Sequence, residues 1–131
     1  MVLDSELLDK LTEEAKGSER LRMNFDLRTT PDDQSQRMLN AMEPGTQVPI
    51  HRHPNTSETF VVLRGSIRQL SYDDSGNVTE DIVLKAGVEP NAISIPKGVW
   101  HRAECLESGT ILFEAKDGAF EPRRDEDILI I

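Results

Sequence analysis

A chain of 131 residues suits one domain and leaves little room for a second. Hydrophobic residues make up 37% and charged residues 30%, a globular composition, and a domain of this size buries roughly two thirds of its unfolded surface, enough for a core without disulfides. With 24 acidic against 15 basic side chains the net charge is −9, which excludes the basic footprint that nonspecific nucleic-acid binding needs and argues against docking on an anionic membrane. The terminal apolar run, Ile128-Leu129-Ile130-Ile131, is far short of a membrane-spanning helix, and no other run is longer. The N-terminus has neither the basic nor the apolar region of a signal peptide, and the single Cys105 has no internal partner for a bridge. These features lead us to expect a cytoplasmic protein.

In chain order, Leu3, Leu7, Leu8, Leu11 and Ala15 recur at spacings of three and four, which predicts an amphipathic helix. Asp4 or Ser5 can cap its start, and Gly17 stands where a left-handed C-terminal residue belongs. Residues 18–35 carry mixed charge and Pro31, and read as a connection with one edge strand over 23–27. From Gln36 the period changes to two, with Met38, Asn40 and Met42 opposite Arg37, Leu39 and Ala41. Further strands are predicted over 58–63, 66–72, 78–84, 92–95, 101–106 and 110–116. The turn Asp73-Asp74-Ser75-Gly76-Asn77 makes a hairpin of the second and third of these. Many short strands between turn signals indicate a sandwich or barrel. The expected organisation is a helix and connecting segment over 1–35, a mostly β barrel over 36–120 and a tail over 121–131. The tail ends in four aliphatic residues that need a surface, their own barrel or a second subunit.

The three histidines are His51, His53 and His101. Residues i and i+2 of a strand share a face, so His51 and His53 can project together into a barrel interior. Glu58 shares parity with Phe60 and Val62, which sets a carboxylate on an apolar face, a costly arrangement that a divalent cation would relieve. Three neutral imidazoles and a carboxylate suit Fe, Mn, Ni, Co or Zn as the divalent ion. Cys105 shares parity with His101 and is either a soft further ligand or, by preference, a small buried hydrophobe. Asn40 faces either the cavity, where it would hold a substrate hydroxyl, or the exterior. Arg52, Arg64, Arg68 and Arg102 flank the motifs, either as anion binders at the mouth or as partners for surface carboxylates, and Trp100 is expected as a pocket wall.

The pattern Gly45-x5-His51-x-His53-x4-Glu58-x6-Gly65 resembles the first motif of the cupins, and Pro96-x-Gly98-x2-His101 resembles the core of the second. Gln36-Arg37-Met38-Leu39-Asn40-Ala41-Met42-Glu43-Pro44-Gly45, His51-Arg52-His53-Pro54 and Phe60-Val61-Val62-Leu63-Arg64-Gly65 resemble, more narrowly, the WbuC family of small cupin-fold metalloproteins. The second motif departs from the cupin pattern, with Pro90 in place of its opening Gly and Cys105 in place of its Asn. The resemblance implies a single-domain cupin, a double-stranded β-helix or jelly-roll β-barrel with an N-terminal α-helix. It also implies one divalent transition metal per chain on His51, His53, Glu58 and His101. The narrower resemblance implies proximity to O-antigen and surface-polysaccharide gene clusters.

Four protein ligands leave coordination positions open, as catalytic metal sites do. The expected function is a metal-dependent enzyme, of isomerase or oxygenase type, on a small polar ligand such as a sugar, with Asn40, Arg52, Arg68 and Trp100 as candidate substrate contacts. The alternatives are a noncatalytic sugar-binding or metal-sensing cupin, and an accessory subunit in which the metal only pins two strands. The two unpaired apolar segments, at the start and end of the chain, point to a homodimer.

Overall fold

The computed structural model describes residues 1–131. One helix, α1 (Ser5–Gly17), precedes ten strands: β1 (Arg22–Asp26), β2 (Ser35–Met42), β3 (Ile50–His51), β4 (Glu58–Arg64), β5 (Ser66–Tyr72), β6 (Val78–Lys85), β7 (Ala92–Ile95), β8 (Trp100–Cys105), β9 (Thr110–Asp117) and β10 (Ile128–Leu129). They form two five-stranded antiparallel sheets, ordered β1-β2-β9-β4-β7 and β10-β3-β8-β5-β6. This is the expected mostly β jelly roll with one N-terminal helix. Every strand predicted from residue 23 to residue 116 is present to within about two residues at its ends.

Strand alternation sorts side chains between the interior and two covered outer faces. Met42, Phe60, Val62, Ile67, Leu84, Ile95, Cys105 and Leu112 pack inside as the main core. On the outer face of the first sheet, Leu39, Ala41 and Ile111 are fully buried because Leu8, Leu11 and Ala15 of α1 lie on them. The helical stripe is therefore satisfied within one chain. On the outer face of the second sheet, Ile50, Leu70, Tyr72 and Trp100 cluster, with Leu129 of the tail against them.

Three local features differ from expectation. Asp4 caps α1 by accepting from the Leu7 N–H, but Gly17 is its last helical residue and has no positive φ; the chain leaves the helix through Ser18 in extended conformation. The left-handed residue comes later, at Leu21 (φ 57), and Leu3 is exposed ahead of the helix. The tail carries order of its own: a turn of 3-10 helix at Asp125–Asp127 leads into β10, which pairs with β3, so the segments flanking the barrel each add a strand to a sheet. Ile130 and Ile131 beyond it remain exposed. No helix is long and apolar enough to cross a membrane.

Gly65 carries the chain from β4 in one sheet to β5 in the other at φ +74, where a Cβ would come within 2.8 Å of the Thr110 Cα. Backbone conformation and backbone contact both demand glycine there. The α1 interface is open to a direct check. Leu11→Ala removes a side chain that is 2% exposed and should destabilise the fold by about 2–5 kcal/mol, read as a lowered urea midpoint with unchanged slope. A loss under about 0.5 kcal/mol would mean that α1 is not docked in solution.

Candidate metal centre

Three strands and one loop bring the centre together. His51 ends β3 and faces inward because Ile50 beside it faces out. His101 is its register partner on β8, so the strand pairing itself sets the two imidazoles side by side, ring centroids 4.4 Å apart. His53 follows in the loop after β3, 5.0 Å from His51 and 5.5 Å from His101 by the same measure. Glu58 opens β4 from the opposite sheet. One potential ligand atom from each of the four lies within 4.8 Å of all the others. All but His53 are buried.

The hydrogen bonds around the imidazoles decide what the cluster can hold. Nδ1 of His51 donates to the Pro49 carbonyl at 2.8 Å, and Nδ1 of His101 to the Val99 carbonyl at 2.9 Å. A carbonyl only accepts, so in each neutral ring the proton resides on Nδ1 and Nε2 is left with a lone pair. Nε2 of His101 nevertheless lies 3.2 Å from Glu58 Oε2, and Nε2 of His53 lies 3.0 Å from the same oxygen without forming a hydrogen bond. Lone pairs and a carboxylate directed at one buried point repel unless a cation stands between them. The backbone carbonyls behind the imidazoles are the supports that orient metal-binding histidines. Burial and the neighbouring His101 push the His51 pKa down to about 3, keeping it in the neutral form that a metal takes. Burial raises the Glu58 carboxyl, and the charge of Lys116 lowers it. The donor set fits one divalent transition metal. The protein would supply three nitrogens and one oxygen.

The centre lies on a cavity of ≈ 260 Å³ that the main core closes at one side through Met42, Phe60 and Leu112. Asn40 faces into this cavity, where its Nδ2 donates to Glu114 Oε1 at 2.7 Å and its Oδ1 has no partner. Arg52 reaches the rim but is engaged already: its Nε donates to Asp127 Oδ1 at 2.9 Å and its guanidinium lies 4.4 Å from the centre of the Trp100 ring. Two expected substrate contacts are placed elsewhere. Arg68 points outward from β5 and pairs with Asp81 of β6 through two hydrogen bonds, because Gln69 takes the inward parity. Trp100 precedes the inward His101 and so faces out, in the cluster beneath the tail, with Nε1 donating to Asp74. Cys105 packs in the main core, and burial pushes its thiol up, which suits the small buried hydrophobe and not a thiolate ligand. Arg64 pairs with Asp9 and Arg102 with the Tyr72 hydroxyl, both away from the cavity.

Gln69, Glu114 and Lys116 are among the cavity residues that the sequence reading did not single out. Gln69 is fully buried and neither its Nε2 nor its Oε1 has a partner. Glu114 is buried beside Asn40, and burial together with the Glu58 charge raises its pKa to about 7. Lys116 follows on the same face of β9. The signal for Glu114 and Lys116 was present in their parity with the inward Leu112.

The sequence over residues 3–84 matches a family described as "Domain of unknown function (DUF6016)". No curated protein matches the chain in sequence. Among solved structures, KdgF from Halomonas sp. superposes with a TM-score of 0.59 at 21% identity, over 80% of this chain and 83% of that one. The capsular polysaccharide assembling protein CapF from Staphylococcus aureus gives 0.64 at 23% identity, over 80% of this chain but only 28% of CapF. The Schizosaccharomyces pombe Cnp3 cupin domain gives 0.61 at 12% identity, over 76% of this chain and 66% of that one. At these identities the likeness establishes the fold, a cupin jelly roll.

Two outcomes are expected in solution. Bound metal should fall as the pH drops through the ordinary imidazole range near ~6.5, since protons compete for the same nitrogens; retention unchanged down to pH 5 would rule out a three-histidine site. Glu114 holds its proton to about 7 when folded, against an ordinary 4.5. The folded chain therefore binds that proton more tightly, and the associated stability is lost as pH rises from about 4.5 toward 7. In metal-free protein Glu114→Gln should flatten this decline, measured by urea denaturation at pH 5 and pH 7.5. An equal decline in both proteins would mean that Glu114 is ionised throughout.

Proposed function

The chain belongs to the family described as a domain of unknown function, DUF6016, and from that premise and its cupin-type centre we propose that it is a metal-dependent enzyme acting on a small polar ligand such as a sugar or sugar derivative. The observation that carries the proposal is the convergence of His51, His53, Glu58 and His101 on the wall of an internal cavity. A purely structural metal would need no cavity beside it. When bound, the metal would supply Lewis acidity toward a ligand oxygen, or a site to activate water.

The protein's own groups then have distinct tasks. The Pro49 and Val99 carbonyls keep the His51 and His101 rings in one tautomer and one orientation. Asn40 Oδ1 and the Gln69 amide, buried without partners, are poised to bind ligand hydroxyls, because buried polar groups in a folded protein are ordinarily paired. Glu114, buried and raised toward neutrality, can hold or accept a proton in the same cavity, on the face that also carries Asn40. A cavity of ≈ 260 Å³ sits just below the range of roughly 300–1,000 Å³ typical for drug-sized ligands, and suits a molecule the size of one sugar ring. A link to surface-polysaccharide metabolism is supported by the likeness of the motif sequences to WbuC proteins and by the polysaccharide role in the name of CapF.

A noncatalytic sugar-binding role uses the same cavity and is separated from the enzyme by turnover alone. Protein purified without chelator should carry about one divalent transition metal per chain by elemental analysis, and the double variant His51→Ala, His101→Ala should carry none. Conversion of a sugar that stops on chelation and returns with the metal establishes the enzyme. Binding without conversion assigns the noncatalytic role, and absence of metal from the wild-type protein would overturn both.

A further inference from the structure

The acidic chain places an unexpected surplus of positive charge at this one cavity. Six basic side chains line it: Arg20, Arg22, Arg52, Lys116, Arg123 and Arg124. Two are neutralised, since Arg52 pairs with Asp127 and Arg124 with Glu126 and Asp127. The other four make no ion pair. Arg22 donates to the Thr46 hydroxyl and the Gln47 carbonyl, both neutral, and the side chains of Arg20, Lys116 and Arg123 make no hydrogen bond at all. Elsewhere the arginines find carboxylates readily, as Arg28, Arg37, Arg64 and Arg68 do with Asp26, Asp33, Asp9 and Asp81. Glu58, Glu114 and Glu121 also line the cavity, and Lys116 acts on the first two, which leaves Arg20, Arg22 and Arg123 as the three guanidinium groups at this hollow without a carboxylate partner.

The free arginines act on one another and on the metal centre. Burial, then the charges of Arg20 and Arg123, lower the Arg22 pKa. Partial burial lowers that of Arg123, which the Glu58 charge opposes, and the charge of Arg123 is felt in turn at His51. A divalent ion at the centre more than offsets the Glu58 charge, so metal binding deepens the surplus. An anion relieves it, and guanidinium groups are the donors that match a carboxylate or phosphate in two-point geometry.

We propose that the ligand of this cavity is an acidic sugar, with its carboxylate or phosphate seated on Arg20, Arg22 and Arg123 and its hydroxyls toward Asn40, Gln69 and the metal. The proposal rests on the metal-centre reading above and adds the charge class of the ligand. It differs from the sequence expectation in the arginines it uses: Arg52 is already paired and Arg68 lies outside the cavity. Arg123 comes from the tail, so the segment after the barrel completes the site.

The test uses metal-loaded protein and three probes that share a ring and differ at one carbon: glucose, glucuronate and glucose 6-phosphate. Binding is read by ligand-observed NMR at millimolar probe. One charge-assisted contact is enough for glucuronate or glucose 6-phosphate to bind at least about tenfold more tightly than glucose; whichever anion wins distinguishes carboxylate from phosphate. Arg20→Ala with Arg123→Ala removes two side chains that make no hydrogen bond, and should abolish the preference with metal content unchanged. Arg68→Ala, outside the cavity, should keep it. Equal binding of the three probes, no binding of either anion, or a preference that survives the double variant would overturn the proposal. Metal content measured on the same samples separates that outcome from failure of the metal centre itself.

Discussion

A buried carboxylate faced by imidazole lone pairs is the constraint on which the rest of the barrel depends. Glu58 is 5% exposed and enters from the first sheet, while His51 and His101 enter from the second, each locked by a backbone carbonyl with Nε2 toward the centre. Such an arrangement is unfavourable in a low-dielectric interior without a cation. It is over-determined by structure that is otherwise ordinary: one strand pairing, His51 with His101, and two carbonyls, those of Pro49 and Val99. Local arrangements of this kind persist where they serve a site, because stability alone would replace them with apolar side chains.

The interior is accordingly divided. One part is packed by Ile67, Leu84, Ile95, Cys105 and their neighbours; the other is hollow and lined by polar groups, Gln69 and Asn40 among them, with unpaired atoms. A small barrel that leaves part of its centre open forgoes apolar burial there. Both outer faces make up for it. Helix α1 covers Leu39, Ala41 and Ile111, and the tail covers Ile50, Leu70, Tyr72 and Trp100 through Leu129. The same tail brings Arg123 to the cavity, so an element that stabilises the second sheet also shapes the site. The Arg52–Asp127 ion pair, with its aspartate 5% exposed, joins the two functions by tying the loop between the metal-binding histidines to the tail.

Strand parity made much of this legible. Alternation in β4 and β8 was enough to place Glu58, His101 and Cys105 on the inner face, because a period of two leaves a side chain only two directions, whereas for Asn40 in β2 it left both faces open until the fold settled it. Where the reading failed, parity was overruled by proximity along the chain. Arg68 and Trp100 were associated with the site because they lie close to the motifs in sequence, but each adjoins an inward residue and so points away from it. The end of α1 was misread for another reason: Gly17 tolerates a left-handed turn but nothing compels one, and the chain turns at Leu21 instead.

What the sequence determined by itself is therefore the helix, the eight longer strands and the four candidate metal-binding side chains, since these follow from periodicity and from residue chemistry at short spacing. The tertiary structure decided which of the inward-facing and flanking polar residues share the cavity. Gln69, Glu114 and Lys116 lie on strands far apart in the chain from the histidines, and Arg20, Arg22 and Arg123 come from the two segments that flank the barrel. No local pattern marks an arginine as unpaired or a glutamine as lacking a partner. That depends on which carboxylates and amides the folded chain brings within reach, and so on the long-range pairing of the two sheets and the return of the tail along β3.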